Sequence, residues 1–272
     1  MSNLPRRKFL QQTTLATAGL SLPGSLLANP ISIFGANDRM NFAVIGCNGM
    51  GWSNMRAHLK LPNVTCVALA DVDQRVLDRR SAEVKELTGK APKVYTDYRK
   101  LLENKDIDAV IIGTPDHWHC LNMVDALQAG KHVYVEKPLA NSIEECNVML
   151  KAANASDQLV QVGQWQRSGQ QYDEAIKYVQ SGKLGQIRLV KCWAYQGWMN
   201  PVPEKPNTTP PPGVDYAMWL GPAPERPFNE NRFHFNFRWF WDYAGGLMTD
   251  WGVHELDIAL FAMGAKAPKS IL

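Results

Sequence analysis

From residue 40 onward, short apolar runs alternate with longer stretches whose apolar residues recur at helical spacing. Met40 to Gly46 is a compact apolar run closed by polar and glycine residues, the pattern of a strand buried on both faces of a parallel sheet. A helical stretch from about Trp52 to Lys60 follows, then a strand from Val64 to Ala70, a helix from Gln74 to Thr88, a short strand near Val94 and a strong strand from Ala109 to Ile112. The alternation continues with a helix at Asn122 to Ala129, a strand at His132 to Glu136, a helix at Ser142 to Ser156 and a strand at Leu159 to Val162. Strands separated by helices predict an α/β, doubly wound parallel sheet over residues 38–160.

The pattern changes over residues 161–272, which read as an α+β domain with a mostly antiparallel open sheet. A helix is expected from about Gln170 to Ser181, a strand from Ile187 to Tyr195 and a further helix from Thr249 to Phe261. Six prolines between Asn200 and Gly213 forbid regular structure there, and long ordered loops often border active sites. Pro268 to Leu272 reads as the start of another strand. The domain is therefore expected to be incomplete, since an open sheet lacking strands exposes apolar faces and unpaired edges. Trp193, Tyr195, Trp198, Trp219, Trp239, Trp241 and Tyr243 are read as core in preference to a sugar-stacking surface.

The first strand runs straight into Gly46-Cys47-Asn48-Gly49-Met50-Gly51, giving strand, glycine turn and helix in the order a dinucleotide site needs. A tight turn at Gly46 lets the backbone approach a pyrophosphate, and free amides at the helix start suit its charge. Asn48 departs from the Gly-x-Gly-x-x-Gly pattern; asparagine enters left-handed conformations more readily than most residues, yet its side chain crowds the phosphate. Asp71 ends the second strand twenty residues beyond Gly51, where a carboxylate accepts hydrogen bonds from the ribose hydroxyls of NAD and repels the extra phosphate of NADP. NAD is favoured, and Arg75 leaves NADP open.

Composition narrows the partners. Hydrophobic residues at 45% and charged residues at 20% argue for a globular protein and against disorder. The formal charge of +3 is supplied entirely by Arg6, Arg7 and Lys8, leaving a neutral body with no basic stripe for nucleic acid. Residues 1–37 have the layout of a twin-arginine secretion signal and linker, predicting a periplasmic or otherwise exported protein. Gly19, Pro23 and Gly24 interrupt its apolar run, which falls short of the ~20 residues that span a membrane, so stable insertion is not expected. Five cysteines without a Cys-x-x-Cys pattern suggest neither a zinc site nor a disulfide framework.

Three blocks are more specific. They are Gly113-Thr114-Pro115-Asp116-His117-Trp118-His119, Gly130-Lys131-His132-Val133-Tyr134-Val135-Glu136-Lys137-Pro138, and Gly245-Gly246-Leu247-Met248-Thr249-Asp250-Trp251-Gly252-Val253-His254-Glu255-Leu256-Asp257. The first two lie at strand ends, where ligands of parallel sheets collect. Together with the glycine turn they resemble the glucose-fructose oxidoreductase, inositol dehydrogenase and MocA family, over about residues 38 to 262.

That resemblance implies a dinucleotide held by Gly46, Asn48, Gly49, Met50, Gly51, Asp71, Thr114, Pro115, His117, Glu136 and Lys137. It implies catalysis by Lys137, Asp250 and His254, and substrate contacts from Gln164, Arg167, Asp250 and His254. Imidazole titrates near neutrality, so His254 suits removal of a hydroxyl proton. A helix puts Asp250 on the same face one turn earlier, to orient the ring or share a substrate hydroxyl, and Asp257 is a second orienter. The Lys137 ammonium is suited to polarise the reacting oxygen, and Glu136 to steady the lysine or touch the cofactor's ribose. His117, His119 and Asp116 are metal-ligand types, but no metal is expected.

The leading expectation is hydride transfer between a sugar or polyol hydroxyl and a tightly held nicotinamide. The runner-up is an NAD-dependent glycosidase or lyase with no net redox change, a class that exported relatives include; intact Lys137 leans toward the dehydrogenase type. A noncatalytic sugar-binding module is the third. Copies of the full-length protein are expected to associate through the C-terminal sheet.

Overall fold

The computed structural model describes residues 39–197, 200–266 and 270. The expected leader at 1–37, Trp198 and nearly all of the expected terminal strand lie outside the described residues. No described helix is long and apolar enough to cross a membrane.

The front half is one parallel sheet of β1 (Met40–Ile45), β2 (Val64–Ala70), β3 (Lys93–Tyr95), β4 (Ala109–Ile112), β5 (His132–Val135) and β6 (Val160–Val162), in the order β3-β2-β1-β4-β5-β6. Every neighbouring pair is parallel. The chain winds outward from β1 in one direction and from β4 in the other. The crevice at the carboxyl ends of these two strands is therefore the topological switch point.

Side-chain alternation splits the core into two layers. Ala43, Ile45, Val110, Ile112, Val133 and Val135 point to one face, against Leu101, Met123, Ala126 and Met149 of α3 (Tyr98–Leu102), α4 (His119–Gln128) and α5 (Ile143–Asn154). Phe42, Val44, Leu69 and Ile111 point to the other, against Met55, Val76, Leu77 and Val84 of α1 (Gly49–His58) and α2 (Gln74–Thr88). Each of the larger side chains among them contributes roughly 1.5–3 kcal/mol when fully buried. Local signals set the helix ends. Asp73 accepts from the Arg75 amide at the start of α2, Gly89 closes it in a left-handed conformation (φ 77°), and Ser142 with Glu145 forms a reciprocal capping box on α5.

The back half contains α6 (Gln170–Gln180), α7 (Tyr216–Leu220) and α8 (Val253–Met263), the last entered through a π-helical turn at Met248–Gly252. Trp219, Phe228, Phe233, Phe237 and Tyr243 form its buried cluster. It docks on the front half through two main-chain bonds and one side-chain bond: the Asp215 amide donates to Val72 (2.9 Å), the Gln74 amide to Gly213 (2.9 Å), and the Trp118 indole to the Trp219 carbonyl (3.0 Å). The proline-rich segment has no regular structure, as expected, and is pinned by Asn229 and Asn231 side chains on the carbonyls of Lys205 and Pro203.

Two expectations are corrected here. Ile187 to Tyr195 forms no strand: a strand needs ladder partners, and this run has none among the described residues, leaving Leu189, Trp193 and Tyr195 exposed. The aromatic residues divide: Trp219 and Tyr243 are core, whereas Trp193, Tyr195 and Trp241 face solvent.

Candidate active site

A cleft of about 310 Å³ opens at the switch point. Gly46 and Gly113 line its floor, and Gly51 packs against both of them. A Cβ on Gly46 would lie 2.7 Å from the Gly113 and Thr114 backbone, one on Gly51 1.9 Å from the Gly46 carbonyl oxygen, and one on Gly113 2.6 Å from the Gly51 Cα. Gly49, by contrast, faces open space at φ +44°. The first turn of α1 thus reaches the strand ends with room left in front of it, and its leading amides have no partners within the helix. Those features fit a pyrophosphate.

Asn48 turns out not to crowd this seat. Its backbone is extended (φ −98°, ψ 177°) and its side chain does not cap the helix. The amide oxygen instead accepts from Arg79 (3.2 Å) and Arg80 (3.1 Å), which draw it toward α2. The Asp71 carboxylate lines the cleft and accepts from the amides of Cys47 (2.8 Å) and Asp73 (3.0 Å), tying the glycine turn to β2. Burial raises its pKa against these two hydrogen bonds. Arg75 pairs with Asp73 (2.7 and 2.9 Å) and is half exposed.

Met50, Thr114, Pro115, Glu136 and Lys137 also line the cleft. Glu136 is buried; it accepts from the Asn54 side chain (2.7 Å) and the Lys137 main-chain amide (3.2 Å), joining α1 to the end of β5. Burial raises its pKa, opposed by Asn54 and Lys137. His119 lies between Thr114 and Pro138, its ring nitrogens 2.9 and 2.8 Å from their carbonyl oxygens. Burial lowers its pKa and favours the neutral ring, which donates to only one of the two at a time. It fastens the two loops that carry the cleft's polar groups.

The two halves meet at Lys137. Its ammonium donates to the Asp250 carboxylate (2.6 Å) and the Asp250 carbonyl (2.7 Å), and Arg238 stands 3.2 Å from the same carboxylate oxygen. Burial pushes the Asp250 carboxyl up, but the Lys137 hydrogen bond and charge, with Arg238, outweigh it and hold the pKa below the usual carboxylate value.

Other expected site residues are placed differently. Asp250 does not orient His254, because two cations hold its carboxylate; Asp257 does not either, because it forms a bidentate pair with Arg167 (2.6 and 2.7 Å). Arg167 is thereby removed from the cleft lining, and it packs over Phe261. His254 packs against Trp165 outside the cleft lining, and among the described residues its buried Nδ1 has no partner. Burial lowers the His254 pKa, as does the Lys137 charge, while Asp250 and Asp257 oppose. Gln164 likewise carries a buried oxygen without a partner. Gly51 acts by packing and does not line the cleft. His117 turns into the back-half core, 3.1 Å from the Trp219 carbonyl and against the Trp219 and Tyr243 rings, because that carbonyl offers a buried nitrogen its partner. Burial lowers its pKa to about 4.

Sequence reasoning missed Arg238, His234 and the role of Asp116, all of which line the cleft. His234 lies on the Asp71 side of the cleft, 3.1 Å from Asp73. Charge and residue type are the signals they carry, and no spacing rule ties them to the glycine turn.

Comparison with known proteins agrees with this geometry. The model of an oxidoreductase family, NAD-binding Rossmann fold, matches residues 40–164, and that of the same family's C-terminal alpha/beta domain matches residues 177–271. A glycosyl hydrolase family 109 protein of Shewanella sp. (strain W3-18-1) is 31% identical over 206 residues, covering 69% of this chain and 45% of the relative. The chain thus spans less than half the length of the curated relatives it matches. The myo-inositol 2-dehydrogenase of Lactobacillus plantarum superposes with a TM-score of 0.50 at 30% identity, over 55% of this chain and 43% of that one. GenD2 from gentamicin A biosynthesis, solved with NAD, shares the fold at a TM-score of 0.59 and 19% identity, over 92% and 58%.

Proposed function

Because the chain belongs to the glucose-fructose oxidoreductase, inositol dehydrogenase and MocA family of NAD-binding oxidoreductases, we propose that it moves hydride between a secondary alcohol of a sugar or polyol and a nicotinamide held in the cleft. The observation that carries this reading is the 2.6 Å contact between Lys137 and Asp250, which brings a cation and a carboxylate from the two halves together beside the glycine turn.

When bound, the nicotinamide supplies the carbon that takes or returns hydride. The chain's own residues do the rest. The turn from Gly46 to Met50 seats the pyrophosphate and Asp71 meets the adenosine ribose. Lys137 is aimed at the reacting oxygen, where a buried ammonium stabilises developing alkoxide charge. Asp250, kept ionised, holds that ammonium in place. His254, which burial favours in its neutral form, accepts the hydroxyl proton one helical turn away. Substrate contact by Gln164 is part of this reading, since its unpartnered oxygen is suited to accept from a hydroxyl. Arg6, Arg7 and Lys8 add the proposal of twin-arginine export to the periplasm, where a cofactor must be held and recycled in place.

A second reading, redox-neutral cleavage of a glycoside, is supported by the identity to the family 109 relatives. One experiment separates the two. The protein is denatured, the released nicotinamide is identified, and its redox state is followed over a panel of inositols, aldoses and aryl glycosides. Net reduction is expected for the first reading; aglycone release without net reduction establishes the second, and the lack of any bindable nicotinamide overturns both.

A further inference from the structure

Asp116 is used by neither reading. It follows the Thr114-Pro115 pair directly, lines the cleft and is 6% exposed. Arg238 and Lys137 act on its carboxyl through their charges, Asp250 opposes them, and its own main-chain amide lowers its pKa as well. Asp250, by contrast, is paired with both cations. Two carboxyls in one cleft whose surroundings drive them apart mark a division between a permanently charged group and one that exchanges a proton.

Burial also raises the Glu136 pKa, but that carboxylate, like Tyr98, His117 and His119, already has a hydrogen-bond partner. Glu136 is held by Asn54, and Tyr98 donates its hydroxyl to Asp125 (2.6 Å). His117 and His119 have lowered pKa values through burial. Burial, against the pull of Arg238 and Lys137, pushes Asp116 up to about 7.

We propose that Asp116 is where the proton of the substrate hydroxyl comes to rest, so that proton and hydride are stored side by side in one cleft. This rests on the oxidoreductase reading. In the step, the substrate's C–H bond breaks and its electron pair, with the hydrogen, reduces the oxidised nicotinamide, which loses its positive charge. The O–H bond breaks as well, His254 takes the proton first and passes it on, and a new O–H bond forms on the Asp116 carboxylate. Carbinol, cationic ring and carboxylate become carbonyl, neutral ring and carboxylic acid, so the summed charge of the three reacting groups is zero before and after the step. An ionised Asp116 is favoured beside the oxidised ring and a protonated one beside the reduced ring. Reversal returns both particles to the substrate without a proton from bulk water, as an enzyme that recycles a held cofactor requires.

The test is proton linkage in cofactor binding. Cofactor-depleted full-length protein is titrated calorimetrically with NAD+ and separately with NADH, near pH 7, in two buffers of different ionisation heat. NAD+ is expected to release about half a proton per site and NADH to take up about half, a difference approaching one proton, since a group titrating at about 7 is half protonated there. Asp116→Asn should abolish the difference and Asp116→Glu preserve it. A wild type without the difference, or an Asp116→Asn protein that keeps it, overturns the proposal. Failure of the wild type to bind either cofactor form overturns the oxidoreductase reading instead. Should Asp116→Asn not fold, infrared difference spectra of the wild type with NADH minus NAD+ decide: a new protonated-carboxyl band is expected, and its absence overturns the assignment.

Discussion

Lys137 and Asp250 reach the same cleft from halves that are built differently. In the front half each site residue leaves the end of a strand whose neighbours fix it by ladder hydrogen bonds, and two apolar layers clamp the sheet. In the back half Arg238 and Asp250 leave short 3-10 and π-helical turns, steadied by one aromatic cluster and by ion pairs. The front half therefore supplies a seat that exists before any ligand arrives. The back half supplies groups whose position depends on charge, and on the cluster around Trp219.

The largest expected effect tests that dependence. Trp219→Ala removes a 3% exposed indole from the centre of the back-half cluster and should destabilise it by about 3–5 kcal/mol. Chemical denaturation should then show the back half melting first, with the front sheet intact by far-UV circular dichroism. A single unshifted transition would erase the contrast. Lys137→Met comes next: it leaves the fold in place and should lower turnover by about 10²–10³, the usual loss when one electrostatic donor to a developing oxyanion is removed. A variant with unchanged kcat would show that the contact between the halves is only structural.

Third is the pH dependence at the seam, where Asp116 and His117 are adjacent and titrate in opposite senses. An unfolded chain protonates His117 below about 6.5, the folded protein only near about 4. Between these values acid favours unfolding, by up to about 3 kcal/mol. Asp116 does the reverse. Its folded value of about 7 lies above the unfolded one of about 3.9, so its stabilisation is present at low pH and is lost as pH rises through 7. Urea midpoints of His117→Gln should fall as pH rises from 4 to 7, and those of Asp116→Asn should rise. Parallel slopes in the two variants would refute the assignment. The smallest effect is expected at Arg167→Ala: its pair with Asp257 is half exposed, so stability should change by less than about 1 kcal/mol.

The same contrast explains what was legible in the sequence. β2, α2, β4 and α6 were found because apolar runs and helical spacing repeat over many residues. α3 and α7, each five residues long, give no period to detect. α4 begins at His119, three residues before its apolar pattern, because the turn at Asp116–Trp118 runs directly into it. Asp71, Glu136 and Lys137 were recognised by their place at strand ends. Arg238 and Asp116 were not, since their importance comes from charges brought together across more than a hundred residues. Arg167 misled for the same reason: its partner Asp257 lies ninety residues away.

The glycine floor carries a last consequence. At Gly46, Gly51 and Gly113 the atoms that a methyl group would strike are largely main chain, which cannot swing aside as a long side chain can. The three positions behave as a single lock: a library randomised at any one should return glycine alone, and double replacements should rescue nothing. The phosphate seat can be abandoned by this lineage, but it cannot be remodelled one residue at a time.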